Sequence, residues 1–219
     1  MITKPLTFSH TALKDYDNCP LQYQHKRILK DIPDVKGDAA TWGERVHKDF
    51  EERLTINKPL PDYLEKFEPM MQKFVGLDIK CEWKVSLNED LKPTDWFAPD
   101  AWFRGVLDLY ARLDSKTAFV GDYKTGKRRD DFDQLKRFAL FVFAHEPEVE
   151  EVRTAFIWTQ FGKVDSETYH RRDANKLWEE TISKIRRIYR SAESDIWPAK
   201  PSGLCGWCGF KDKCTYARR

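Results

Sequence analysis

The sequence has no apolar run long enough to cross a bilayer, and its first residues lack the basic and apolar regions of a secretory signal. These absences predict a cytoplasmic protein with no membrane partner. Internal repeats and low-complexity tracts are missing too, which excludes a solenoid or a disordered tail. Nor is there a bulk charge: the net charge is +2, so any basic surface for nucleic acid must be local. Cysteine is scarce, five in all, and in a reducing compartment such thiols read as metal or redox ligands before disulfides. What is present is a well-mixed chain, 34% charged and 14% aromatic. Its 219 residues suit one folded domain spanning 1–219, or one domain with a small appendage, with a core that needs no staples.

Helical signals open the chain. Ser9 reads as the N-cap of a short helix carrying Ala12, Leu13 and Tyr16. Asn18-Cys19-Pro20 interrupts it, and Pro20 starts a second helix with Leu21, Tyr23 and Ile28 as apolar positions. Asp31 to Asp38 reads as a loop. Gly43 to Leu54 is helical, with Val46, Phe50 and Leu54 on one stripe and His47 beside it. A lone histidine there reads as a packed or half-exposed residue unless partners are found. Pro61-Asp62 starts another helix with Tyr63, Leu64, Phe67, Met70, Met71 and Phe74 as its apolar face.

The period then changes to two. Ile79, Cys81, Trp83, Val85 and Leu87 alternate with Lys80, Glu82, Lys84 and Ser86, the pattern of a half-buried strand with Cys81 in the core. Trp102 to Tyr110 is a second strand. It sets Phe103, Gly105, Leu107 and Leu109 on one face and Val106 and Asp108 on the other. Asp114-Ser115 turns it into a hairpin with Thr117–Lys124. In that third strand Ala118, Val120, Asp122 and Lys124 share a face, opposite Phe119, Gly121 and Tyr123. The hairpin brings Asp108 and Asp122 toward one end of the sheet.

An acid and a lysine at the end of a buried strand are costly without partners. The pair Asp122 and Lys124 has two readings: a surface ion pair, or a metal-binding carboxylate with a lysine that meets developing negative charge. Gly121 to Lys127 also spells G-x-x-x-x-G-K, but Arg128 stands where a phosphate-binding loop needs Ser or Thr. A basic loop, Thr125 to Asp130, leads to a helix from Asp131 to Ala144, on which Gln134, Phe138 and Phe141 face the sheet. Glu151–Thr159 and Lys163–Tyr169 are further strands. Asp173 caps the longest helix, whose stripe is Trp178, Ile182, Ile185, Tyr189 and Ala192. Its other face, with Lys184, Arg186, Arg187 and Arg190, is a solvated face or a phosphate-backbone contact.

The tail from Pro198 to Arg219 holds Cys205, Cys208 and Cys214, a C-x2-C-x5-C spacing that offers three thiolates to one metal centre. Cys19, at its helix junction, is the candidate for a fourth. Four thiolates suit an iron–sulfur cluster or a tetrahedral zinc, with Trp207 and Phe210 as shields, and spacing does not choose between them.

The order of these pieces is informative: Asn18-Cys19-Pro20, Gly43-Glu44-Arg45-Val46-His47, Gly105-Val106-Leu107-Asp108, Asp122-Tyr123-Lys124-Thr125-Gly126, Gln134 with its helix, then Cys205 to Cys214. It resembles the PD-(D/E)XK nuclease superfamily in its RecB-like branch. Within that branch it is most similar to CRISPR-associated and phage exonucleases with a four-cysteine iron–sulfur module. The resemblance implies an α/β restriction-endonuclease-like core, a central mixed sheet flanked by helices. The N-terminal helices and the C-terminal tail would be joined by the four-cysteine centre, a module formed by the Cys19 region and residues 198–219. His47, Asp108, Asp122 and the Tyr123 carbonyl would bind the catalytic cation. Lys124 would orient water or steady the phosphate, and Gln134 would position the site or the DNA. Cys19, Cys205, Cys208 and Cys214 would hold a [4Fe–4S] cluster. Phe138 stands where the family often has tyrosine. Two carboxylates make a hard site for magnesium, and a histidine ligand shifts preference toward manganese. The implied function is a metal-dependent deoxyribonuclease, an exonuclease on single-stranded DNA or DNA ends. Its expected setting is recombination, phage replication or CRISPR adaptation in a bacterial, archaeal or phage-infected cell. The competing readings are a catalytically silent DNA-binding or adaptor module on the same fold, and a zinc-containing version.

Overall fold

The computed structural model describes residues 6–32, 37–128 and 131–217. Pro33 of the predicted Asp31–Asp38 loop, Arg129 and Asp130 of the predicted basic loop, and Arg218 and Arg219 of the predicted tail lie outside them. Helix α1 (His10–Asn18), helix α2 (Pro20–Tyr23) and a π-helical turn (Gln24–Leu29) come first. Helix α3 (Asp38–Thr55) and helix α4 (Glu68–Met71) precede strands β1 (Asp78–Leu87), β2 (Phe103–Arg112) and β3 (Thr117–Lys124). Helix α5 (Asp133–His145), strands β4 (Glu151–Trp158) and β5 (Lys163–His170) and helix α6 (Ala174–Ser194) follow. The chain forms two compact units: Lys36–Leu177, and the two chain ends, Met1–Val35 with Trp178–Arg219.

In the Lys36–Leu177 unit the five strands form one mixed sheet in sequential order. All neighbours are antiparallel except β3 and β4, which run parallel with α5 as the crossover. On one face, Val46 and Phe50 of α3 pack with Leu64, Phe67, Met71 and Phe74 over Leu109, Ala111, Tyr123 and Ile157. Fully burying side chains of this size contributes about 1.5–3 kcal/mol each. The segment predicted as one helix from Pro61 is broken into a 3-10 turn (Asp62–Phe67), α4 and a second 3-10 turn (Gln72–Phe74). Pro69 in its middle carries no N–H to continue the ladder. Tyr63 is accordingly exposed, while Leu64, Phe67, Met71 and Phe74 keep the apolar face.

On the other face lies α5, apolar nearly all round from Leu135 to Phe143. Phe141 stacks on Phe103 and sits directly over Gly105, where a Cβ would come within 2.6 Å of its ring. The hairpin turn forms as expected, with Asp114 Oδ1 accepting the N–H groups of Lys116 and Thr117 at 2.8 Å.

In the unit made by the chain ends, Ser9 caps α1 by accepting the Ala12 N–H at 3.1 Å, a bond worth ~1 kcal/mol. The Tyr16 hydroxyl lies 2.8 Å from Ser191 Oγ and donates to the Arg187 carbonyl of α6. Tyr23 stacks on Trp197. The second predicted helix passes into the π-turn after Tyr23, and only Tyr23 of its three apolar positions is buried. Lys184 and Arg187 of the predicted cationic face pair with Asp17, at 3.2 and 2.8 Å. Half of that face is therefore committed within the fold. Among the described residues, no helix is long and apolar enough to cross a membrane.

Candidate active site

Helix α3 buries Val46 and Phe50 on its core stripe, which sets His47 against strands β2 and β3. Phe50 stacks flat on Tyr123 with centroids 4.1 Å apart, so α3 and β3 are locked at this point. His47 Nε2 donates to the Tyr123 carbonyl at 2.9 Å. Its Nδ1 lies 3.4 Å from Asp108 Oδ2 and 3.6 Å from Glu82 Oε1.

Both acids owe their position to a fault in the sheet. In β2, Phe103 and Gly105 face Phe141, yet Leu109 and Ala111 pack in the α3 cluster. The strand alternation therefore shifts by one residue between them, and Leu109 does not share the face of Phe103 as strict alternation predicts. In β1 the same happens: Ile79 and Cys81 pack toward α3, whereas Trp83 packs on Tyr110 and His145. Glu82 sits at the shift with φ +48, a left-handed backbone that costs roughly 1–2 kcal/mol for a residue with a Cβ. The flanking pairs Cys81↔Leu109 and Trp83↔Leu107 place Glu82 opposite Asp108. The β2–β3 ladder meanwhile stops at Leu109↔Gly121. Past that point Asp108 Oδ2 accepts the Tyr123 N–H at 2.9 Å. His47, Glu82 and Asp108 thus offer three ligand atoms all within 4.8 Å of one another.

Asp122, Lys124 and Gln134 form a second group on the α5 face. Gln134 Nε2 donates to Asp122 Oδ1 at 2.9 Å, and its Oε1 accepts from Lys124 Nζ at 2.8 Å. Asp122 Oδ2 is buried and lies 2.5 Å from Lys124 Nζ, a close ion pair. Burial pushes the Asp122 carboxyl up, against the pull of Lys124. Asp108 is also raised, first by burial and then by the Asp122 charge, against His47. Burial alone would lower His47; Glu82, Asp108 and the Tyr123 carbonyl outweigh it and raise it. Two buried carboxylates with raised proton affinity, one of them beside His47, fit a divalent cation.

The match to known proteins agrees with this arrangement. The family model of the PD-(D/E)XK nuclease superfamily aligns with residues 7–77 and 62–215. The chain belongs to the PD-(D/E)XK nuclease superfamily. Among solved structures, a Eubacterium rectale protein described as a candidate exonuclease superposes with a TM-score of 0.56 at 14% identity, covering 97% of this chain and 90% of that one. The protein SSO0001 superposes with a TM-score of 0.54 at 13% identity, covering 100% and 91%. At these identities both show the shared fold. No curated protein matches the sequence. The five-stranded mixed sheet with flanking helices is the superfamily's restriction-endonuclease-like core.

Within this PD-(D/E)XK fold, the residues expected at the site fall into two groups, both built on β3. His47, Asp108 and the Tyr123 carbonyl meet on the α3 side; Asp122, Lys124 and Gln134 meet on the α5 side. Glu82 is the addition. Alternation places it with Lys80 and Lys84 on a polar strand face, and nothing in the sequence marks its left-handed backbone. The G-x-x-x-x-G-K string is settled by geometry, since Gly121 to Lys124 is strand.

In the unit of the chain ends, Cys19 stands at the α1–α2 junction. It lines one cavity with Cys205, Cys208, Cys214 and Phe210. The backbone N–H of Lys200 donates to Cys19 Sγ at 3.4 Å, and that of Ser202 to Cys205 Sγ at 3.3 Å. Among the described residues no three cysteine sulfurs come within 4.8 Å of one another. Phe210 lines the cavity and stacks on His25, but Trp207 is 90% exposed and does not shield it. Cys81 packs beside the α3 cluster, and burial raises its thiol to about 11, as suits a core residue.

Proposed function

We propose that this superfamily member is a divalent-cation-dependent deoxyribonuclease that shortens single-stranded DNA or DNA ends. The observation that carries the proposal is the meeting of His47, Asp108 and the Tyr123 carbonyl with the Asp122–Lys124–Gln134 group where the β2–β3 ladder opens. A scaffold has no use for two buried acids, a lysine and a histidine brought to one point. Asp108, Asp122, the Tyr123 carbonyl and His47 would hold the cation. A bound Mg²⁺ or Mn²⁺ polarises a phosphoryl oxygen and lowers the pKa of water. The chain's own residues supply the rest. Lys124 carries a positive charge beside the acids, where it meets negative charge developing on the phosphate. Gln134 fixes Lys124 and Asp122 to each other through both ends of its amide, so neither rotates away. The Phe50–Tyr123 stack keeps the β3 carbonyl aimed.

The proposal includes a [4Fe–4S] cluster on Cys19, Cys205, Cys208 and Cys214. Their shared cavity and the two N–H donors to sulfur support it. Hydrolysis moves no electrons, so this cluster is structural.

The test is degradation of end-labelled single- and double-stranded DNA by wild type and Lys124→Ala in magnesium, manganese or chelator. Cation-dependent cleavage, reduced roughly 100- to 1,000-fold in the variant, is expected. A folded, cluster-loaded wild type that binds DNA and cuts none overturns the enzymatic reading in favour of a binding module.

A further inference from the structure

We infer that Glu82 is a positioning residue that holds the His47 ring with Nδ1–H toward itself and Nε2 toward the cation side, beside the Tyr123 carbonyl. The inference rests on the cation reading above and deepens it. The two ring nitrogens have separate surroundings. Without a cation Nε2–H donates to the Tyr123 carbonyl oxygen at 2.9 Å, and a cation that displaces this proton would find the two ligand atoms side by side. Nδ1 faces carboxylates only, Asp108 at 3.4 Å and Glu82 at 3.6 Å. Asp108 Oδ2 also accepts the Tyr123 N–H, and Asp108 holds the cation in the reading above, so its remaining lone pairs are directed there. Glu82 is the acid left to take the Nδ1 proton. A histidine ligand whose second nitrogen donates to a carboxylate is fixed in tautomer and orientation.

The backbone supports the same role. Residue 82 is the one position of β1 with positive φ, and it lies where the alternation of the strand shifts. Regular strand geometry would send this side chain to the other face with Lys80. A strained residue whose strain delivers its own side chain to a site is better explained by function than by packing. Glu82 is also half-exposed, so no core demands it there.

The test uses Glu82→Gln, Glu82→Ala and Glu82→Gly in the full chain, with Mn²⁺ as the probe. Manganese binding is read by calorimetry and electron paramagnetic resonance, and the His47 tautomer by nitrogen NMR of the Mg²⁺-bound protein. Glu82→Ala should weaken Mn²⁺ binding roughly 10- to 100-fold and mix the tautomers. Glu82→Gln, which keeps an acceptor, should restore most of both. Glu82→Gly should raise the melting temperature of the metal-free chain, since glycine accepts the left-handed backbone, while binding Mn²⁺ as weakly as Glu82→Ala. Unchanged binding and tautomer in Glu82→Ala overturn the inference. So does a Gln variant as weak as Ala, which makes Glu82 a direct ligand. No Mn²⁺ binding by wild type defeats the cation reading itself, a separate result.

Discussion

Asp108 Oδ2 accepts the backbone N–H of Tyr123 at 2.9 Å, just past the last rung of the β2–β3 ladder. A side-chain oxygen thus stands in for a strand carbonyl, and the strands can part without leaving a buried N–H unpaired. The two functions of Asp108 are separable. Asp108→Asn keeps an acceptor for Tyr123 and removes an acid whose ionisation burial and Asp122 oppose; Asp108→Ala removes both. The Asn variant is expected to be more stable than wild type without cation and to lose at least about 100-fold in cleavage. The Ala variant should lie about 1–3 kcal/mol below the Asn variant, the cost of a buried unpaired N–H. Urea denaturation in chelator beside an end-labelled DNA assay checks this. Equal stability of Asn and Ala would deny the role of the Tyr123 bond.

The same cluster sets a pH dependence. Burial raises Asp108 from 3.8 to about 8, helped by Asp122 and opposed by His47. Burial opposes a rise at His47, but Glu82, Asp108 and the Tyr123 carbonyl carry it from 6.5 to about 9. In both cases the folded chain keeps a proton that the unfolded chain releases. Stability therefore falls as pH rises, from Asp108 between 3.8 and about 8 and from His47 between 6.5 and about 9. The steepest loss is expected where the windows overlap, from 6.5 to about 8. A bound cation displaces these protons, so saturating magnesium should flatten the slope. Denaturation midpoints across that range, in chelator and in magnesium, measure it. Stability that climbs with pH in chelator would contradict the assignment.

The hairpin, the crossover helix and the partition of β3, with Asp122 and Lys124 opposite Tyr123, all follow from period and turn chemistry, and the structure reproduces them. Local rules also explain the break at Pro69, which a reading by apolar spacing alone passes over. The phase shift at Glu82 and between Gly105 and Leu109 is different in kind. It arises from tertiary demands on two facing strands at once, and no local pattern of either strand carries it. The exposure of Trp207 is likewise invisible in a motif that suggests a shield.

Gly105 links the sheet to the site through α5. A Cβ there would lie 2.6 Å from Phe141 Cε2, and Phe141 is buried and stacked on Phe103, so its ring has little room to move. Gly105→Ala should destabilise the fold by about 1–3 kcal/mol. Any relief by displacement of α5 moves Gln134, which stands on its first turn and bridges Asp122 to Lys124. Cleavage should then fall more than the folded fraction does. A denaturation curve paired with single-turnover rates separates the two losses; a rate that merely tracks the folded fraction would confine Gly105 to packing.

The cysteine centre gives the last test. Cys19 comes from the α1–α2 junction and its three companions from the tail, so a shared cluster would close the loop between the chain ends and restrict the unfolded state. The residues proposed for hydrolysis lie in the other compact unit, Lys36–Leu177, and include none of these thiols. Cys19→Ser should therefore abolish the visible absorption of the proposed cluster and lower the melting temperature. The ratio of manganese- to magnesium-supported cleavage in whatever remains folded should stay unchanged. Wild type prepared without oxygen should be brown. A colourless protein with one bound zinc would replace the cluster with the smaller centre, and a Cys19→Ser variant with full thermal stability would remove Cys19 from the ligand set. A shifted cation preference in that variant would show that the centre acts on the chemistry as well as on the fold.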